Sequence, residues 1–401
     1  MSASRSISEH LSAVLALAPA PRAESVPVGP ALRGRVLAED ATARFPVPPF
    51  ANSAMDGFLV RATDISGTGP GPWTLPVAGD VPAGATAQEV PAGQAVRIMT
   101  GAPVGDATGL IVVPVEDTTV PPGPTQLPSE VTITAAPTKS HIRTAGEDIQ
   151  PGIIVATAGI TANAAVIAAL ISTGIYSVEA YRRPRIAVIS SGNELSPYPD
   201  ELSPGRLPDS NGPMLASLAY TESYSHVGDD PAELSRLLDE LTESHDLIIT
   251  SGGVSTGAFD VVHGVLGTGD DSWFGHVHQR PGAPQGIGTW RGVPVLSLPG
   301  NPVAAFVGFQ LYARPLIAAL SGQPHPREAV QLRAEVVVPL PPAHTRPCIV
   351  PVTVSFAGKP RITGALSRGS HRVVSLAGTN GYCIIDGPAP AAGEETTVYL
   401  Y

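Results

Sequence analysis

Apolar positions change their period along this chain, and each change marks a different kind of structure. Near the start, Ile7, Leu11, Val14 and Leu15 recur at helical spacing. Just ahead of them, Ser6 and Glu9 have the S-x-x-E form of a capping box, in which two side chains satisfy the first free N–H groups of a helix. The pattern predicts an amphipathic docking helix. A secretory leader would share the small apolar stretch 11–20, but its charged flank is weak here. No run reaches the roughly 18 uninterrupted apolar residues of a membrane span.

After a proline-rich exit at Pro46, Pro48 and Pro49, helical periodicity nearly disappears. Residues 50 to 143 carry short extended runs at 95–99, 110–115 and 131–135 among Val, Thr, Gly and Pro, and read as a small β domain. Thr161 is then the expected N-cap of a helix through Ser172, with Gly174 beyond its end. This helix is expected to pack on the first one, which makes the β zone an insertion into one helical domain.

From 182 to 326, apolar runs at 185–190, 246–250 and 293–298 alternate with helical stretches at 231–241 and 303–320, and Pro231 takes a first-turn position. Alternation of this kind predicts βαβ units and a parallel sheet. Strands return at 331–338, 348–356, 383–385 and 397–400. The fold class is therefore multidomain α/β plus β. Residues 1–45 and 147–181 form a discontinuous helical domain, 46–146 an inserted β domain, 182–326 a three-layer α/β domain with a parallel-type sheet, and 327–401 a C-terminal β domain.

Composition narrows the function. Hydrophobic residues make up 43% of the 401, enough for several cores, whereas the formal net charge of −11 disfavours nucleic-acid binding. The only lysines are Lys139 and Lys359. Cys348 and Cys383 are too far apart in sequence to form a CxxC pair, so neither a disulfide framework nor a zinc site is indicated, and a reducing cytoplasm fits.

In open parallel sheets, ligands bind at the carboxyl ends of strands. Three such ends are unusual here. Ser191-Gly192-Asn193-Glu194 offers hydroxyls and backbone to an anion, then a carboxylate to a cation. Ser251-Gly252-Gly253-Val254-Ser255 allows backbone N–H groups to approach a phosphate, and it lacks the lysine of a P-loop. Pro299-Gly300-Asn301-Pro302 is a stiff helix entry. The carboxylates Asp56, Asp148, Glu194, Asp209, Asp229, Asp230 and Asp260 all stand beside small or turn-forming residues. They are hard oxygen donors of the kind Mg²⁺ uses together with substrate phosphates. His276 and His278 alternate on a predicted strand and define no metal site.

Together these segments resemble the molybdopterin molybdenumtransferases, the family of the MoeA proteins and the E domain of gephyrin. The motifs that carry the resemblance run in order along the chain: Asn52-Ser53-Ala54-Met55-Asp56-Gly57; Arg97 through Pro103; Arg143 with Gly146-Glu147-Asp148-Ile149; Ser191 through Leu195; Asp209-Ser210-Asn211; Gly228-Asp229-Asp230-Pro231; the glycine loop through Asp260; and Leu298 through Pro302. The resemblance implies insertion of molybdate into adenylyl-molybdopterin with release of AMP, assisted by Mg²⁺. It assigns catalysis to Asp56, Asp148, Asp229 and Asp260, and metal binding to Glu194, Asp229 and Asp260. Substrate contacts fall to Thr100, Arg143, Ser191, Gly192, Ser251, Gly252, Gly253, Ser255, Arg280, Pro299, Gly300, Asn301 and Pro302.

It also implies a homodimer, with the α/β domain of one subunit facing the first two domains of its partner. A molybdopterin adenylyltransferase and molybdoenzyme chaperones are further candidate partners. The chain departs from the family where a P-G-K-P loop reads Pro281-Gly282-Ala283-Pro284, and where Ala51 replaces an aspartate. The missing lysine motivates an alternative, a non-catalytic molybdopterin-binding carrier. The likeness of the α/β domain to molybdopterin adenylyltransferase motivates another.

Overall fold

The structure is a computed structural model that describes residues 4–66, 71–196, 202–254, 260–269, 271–343, 345–366 and 369–401. The chain divides into two compact units, one of residues 1–23 with 181–401 and one of residues 24–180.

In the larger unit, strands Ile186–Ser191 and Leu247–Ser251 are buried along their whole length, and Val293–Leu298 is buried at all but its first residue. Strand side chains alternate between the two faces of a sheet, so a strand covered on both sides must be apolar throughout. The alternation sorts these residues cleanly. Ile186, Val188, Leu247, Ile249, Leu296 and Leu298 join one core, whereas Ala187, Ile189, Ile248 and Val295 join the other. The first core is covered by helix Asn211–Leu218 and the helical stretch Pro302–Leu320. The second is covered by Pro231–Thr242 and Val261–Leu266.

Tyr224–Val227, Ile186–Ser191, Leu247–Ser251 and Val293–Leu298 lie side by side in parallel. The sheet is nevertheless mixed. Pro284–Trp290 and Trp273–His276 extend it in antiparallel fashion, and the expected histidine strand therefore stands at its edge, with His276 as its last residue. Strand order reverses between Ile186–Ser191 and Leu247–Ser251, the switch point at which such sheets open a crevice. Residues 331–400 form a closed five-stranded barrel around its own apolar core, which holds both cysteines as buried thiols.

The capping box is present. Ser6 Oγ accepts the Glu9 N–H, and the Glu9 carboxylate accepts the Ser6 N–H at the start of helix Ile7–Leu15. The partner of this helix differs from expectation. Val14 is fully buried in the first core of the α/β domain, with Ile7, Leu11 and Leu17 packed beside it. The helix contacts the stretch 309–320. Residues 1–23 thus leave the grouping of 1–45 with 147–181. Pro302–Leu320, at 19 residues, has the length and apolarity of a membrane span, but 72% of its apolar 18-residue window is buried inside the fold.

The smaller unit holds a five-stranded sheet in the order Leu110–Pro114, Gly57–Arg61, Ala95–Ile98, Trp73–Val81, Glu130–Ile133, with an apolar cluster of its own on each face. Its second helix begins later than predicted, at Ala164. The cap is Asn163, whose Oδ1 accepts the Val166 N–H at 3.0 Å, and not Thr161. Gly174 follows the helix end with φ +79°.

Candidate functional site

The carboxyl ends of the three buried strands open into one cavity of about 880 Å³. Ser191, Gly192, Glu194, Asp229, Ser251, Gly252, Gly253, Asp260, Pro299, Gly300, Asn301 and Pro302 all line it, so residues far apart in sequence meet in one place. Ser255 lies outside the described residues.

The loops that bring them together approach very closely. Gly252 and Gly253 take φ values of +98° and +63°, where a side chain is strained. A Cβ at Gly252 would also stand 2.6 Å from the Ser191 carbonyl oxygen, and one at Gly300 would stand 3.4 Å from Gly252 Cα. The Gly252 N–H donates to the Leu298 carbonyl at 3.1 Å, which pins the second loop to the third strand. Ser191 is only 4% exposed, and its Oγ has no hydrogen-bond partner among the described residues. A buried hydroxyl left unpaired costs about 1–3 kcal/mol, and an incoming oxyanion or polar ligand atom would recover that cost.

The carboxylates divide into two kinds. Glu194, Asp229 and Asp260 line the cavity, as does Asp209, whose oxygens are engaged by other donors. Asp230 is instead the N-cap of helix Pro231–Thr242 and accepts the Ala232 N–H at 2.9 Å. Asp209 is 5% exposed and accepts two backbone N–H groups and two hydroxyls, those of Ser190 and Tyr224. Burial, with the Asp209 carboxylate as the next cause, pushes the Tyr224 hydroxyl up to about 12, so it stays a hydrogen-bond donor. Asp209 and Asp230 are therefore structural acceptors and leave the cation-binding set.

No group of three or more His, Cys, Asp or Glu side chains forms a ready-made metal cage among the described residues. Mg²⁺ needs none, since one or two carboxylates with substrate phosphates and waters complete its octahedron. Glu194, Asp229 and Asp260, beside the glycine loops, fit that donor set.

Arg280 lies beside the main cavity and not among the residues that line it. It is exposed and lines a neighbouring cavity of about 560 Å³ together with Ala283 and Arg346. The missing lysine at position 283 thus leaves the wall of the smaller cavity, while Gly282 borders both. Unanticipated residues from the barrel domain, Ser370, His371 and Val373, also line the main cavity. The Ser370 carbonyl accepts the Val303 N–H at 3.0 Å and so tethers this segment to the helix entry.

Asp56, Thr100, Arg143 and Asp148 belong to the smaller unit. There, Asp56 Oδ1 accepts the Thr100 N–H at 2.6 Å and the Thr100 hydroxyl at 2.7 Å, and these bonds hold its carboxyl below the usual range. Arg143 pairs through its backbone with Asn52, and the exposed Asp148 donates its N–H to Val47.

Three family models match the chain. One described as "MoeA N-terminal region (domain I and II)" matches residues 5–174, "Probable molybdopterin binding domain" residues 187–319, and "MoeA C-terminal region (domain IV)" residues 333–401. Molybdopterin molybdenumtransferase 2 of Mycobacterium tuberculosis is 40% identical over 338 residues, 80% of this chain and 81% of that one. A Staphylococcus epidermidis molybdopterin molybdenumtransferase is 34% identical over 72% of this chain and 70% of its own length. Among solved structures, a molybdopterin biosynthesis MoeA protein from Pyrococcus horikoshii is 25% identical, superimposes with a TM-score of 0.79, and is covered over 100% of both chains.

Proposed function

Because the chain belongs to the molybdopterin molybdenumtransferase family, and so is an enzyme that inserts molybdenum during molybdenum cofactor biosynthesis, we propose that its substrate is adenylyl-molybdopterin and that insertion is coupled to release of AMP. The observation that carries this reading is the single cavity in which glycine loops and carboxylates converge at the sheet's switch point. Its volume of about 880 Å³ suits a nucleotide-sized ligand.

The roles follow from the chemistry of the walls. The N–H groups of Gly192 and Gly252 are spent within the fold, so the remaining backbone N–H groups of the glycine loops and the Ser191 hydroxyl bind phosphoryl oxygens and orient the anhydride. Glu194, Asp229 and Asp260 would hold Mg²⁺, which supplies charge neutralisation at the anhydride when bound. The barrel residues Ser370, His371 and Val373 complete the wall beside the helix entry. Molybdate is the second substrate. The only two cysteines are buried in the barrel, and burial pushes the Cys383 thiol up to about 12, so the metal is captured by the thiolates of the pterin and not by the protein. A homodimer and a cytoplasmic location belong to the same proposal.

The test is direct. Purified protein with Mg²⁺, adenylyl-molybdopterin and molybdate should release AMP in step with cofactor formation, and chelation should stop both. Cofactor formed without AMP would sink the adenylyl reading.

A further inference from the structure

The four acceptor positions of Asp209 are all spent. One oxygen takes the N–H groups of Asn211 and Gly212, each at 3.1 Å, at the first turn of helix Asn211–Leu218. The other takes the Ser190 and Tyr224 hydroxyls. This network fixes the position of Asn211, which is 6% exposed and lines the cavity.

Asn211 in turn spends both amide protons on different loops. Its Nδ2 donates to Ser251 Oγ at 2.9 Å and to the Gly300 carbonyl at 2.6 Å. Ser251 Oγ passes its own proton to the Pro299 carbonyl at 3.2 Å. A flipped amide would set oxygen against the Gly300 oxygen, two acceptors face to face, so the partners decide the orientation. One side chain thus ties the loop after Leu247–Ser251 to the loop after Val293–Leu298. These are the loops whose Gly252 and Gly300 nearly touch.

We infer that Asn211 is a positioning residue for molybdenum insertion, which holds the two loops at the spacing the substrate requires, and that Asp209 acts through it by hydrogen bonding and not by binding a cation. The inference rests on the reading that this cavity takes the adenylylated pterin.

Two substitutions at Asp209 separate hydrogen bonding from charge. Asp209→Asn keeps one oxygen for the two backbone N–H groups, and its new amide can donate to Ser190 and Tyr224, whose hydroxyls rotate to accept. Asp209→Ala removes all four bonds. The readout is cofactor formation by the purified full chain, scored by activation of a molybdenum-dependent apoenzyme, with thermal melts of each variant and a parallel AMP measurement.

Asn211→Ala and Asp209→Ala should lose about 10- to 100-fold in kcat/KM at temperatures well below their melts. Asp209→Asn should stay within about threefold of the parent, the worth of one imperfect hydrogen bond, with its half-saturating Mg²⁺ concentration unchanged. If Asp209→Ala fails to fold, Asn211→Ala and Asp209→Asn still decide. Parental kcat/KM in Asn211→Ala, or an Asp209→Asn that is severely impaired or has a raised Mg²⁺ requirement, would overturn the inference. Failure of AMP release with cofactor formation intact would strike the adenylyl reading alone.

Discussion

His10 is completely buried between the rings of Trp273 and Tyr312, with centroids 5.0 and 4.6 Å away, and neither of its nitrogens has a hydrogen-bond partner among the described residues. Burial, followed by the nearby Arg5 charge, lowers its pKa from 6.5 to about 3. The unfolded chain therefore binds a proton at His10 that the fold refuses. The associated stability is complete above about pH 6.5 and is lost progressively as pH falls toward 3. Denaturation midpoints between pH 7 and pH 4.5 should fall in the parent and fall less in His10→Leu. Equal slopes would show that another group titrates. At this scale the sequence is legible only in part. Asp229 and Asp230 are neighbours of one type before one helix, yet the first lines the cavity and the second caps the helix. Composition cannot separate them, because the direction of each side chain depends on how the chain enters the turn. Asp209 stands among the candidate oxygen donors for the same reason, and only the donors around it show its structural part.

Elements were more legible where a local rule decides them. The three buried parallel strands were readable because a sheet covered on both faces demands unbroken apolar runs. The first helix was readable from its capping box. Ser6→Ala should cost about 1 kcal/mol of stability to the larger unit and leave catalysis untouched, as chemical denaturation and kinetics would register. An unchanged midpoint would mean that the box contributes nothing net. The antiparallel edge was less visible, since its signal is only Arg291-Gly292, a two-residue turn with φ of +48° and +82° between Trp290 and Val293. Such a pair of positive φ values joins strands in a tight hairpin, and glycine is the one residue there that advertises it. The cap at Asn163 was missed because Thr161 and Asn163 are both good caps, and the choice falls to whichever side chain reaches the Val166 N–H.

Long-range partnership is what the sequence hid at the scale of the whole molecule. A capping box announces a helix but not its destination, and nothing local links Ile7–Leu15 to a sheet that begins at Ile186. Ser370 and His371 escaped notice likewise, since they follow a barrel strand and carry no motif of their own. The partition into two units makes a testable claim. All three apolar clusters of residues 24–180 are internal to that stretch, so a fragment of those residues should fold alone, with a cooperative melt by circular dichroism. Removal of residues 1–22 should destabilise the other unit by on the order of 3 kcal/mol or more, because Val14 and its neighbours leave that core. A non-cooperative fragment, or a truncation without effect, would contradict this division.

The buried stretch Pro302–Leu320 has a further consequence for how the protein is made. Its sheet and the first helix precede it in the chain. A ribosome therefore delivers this long apolar segment to an acceptor surface already synthesised. A circular permutant that begins near residue 301 would reverse that order, and the same amino acids would emerge as a bare apolar helix with nothing yet made to receive it.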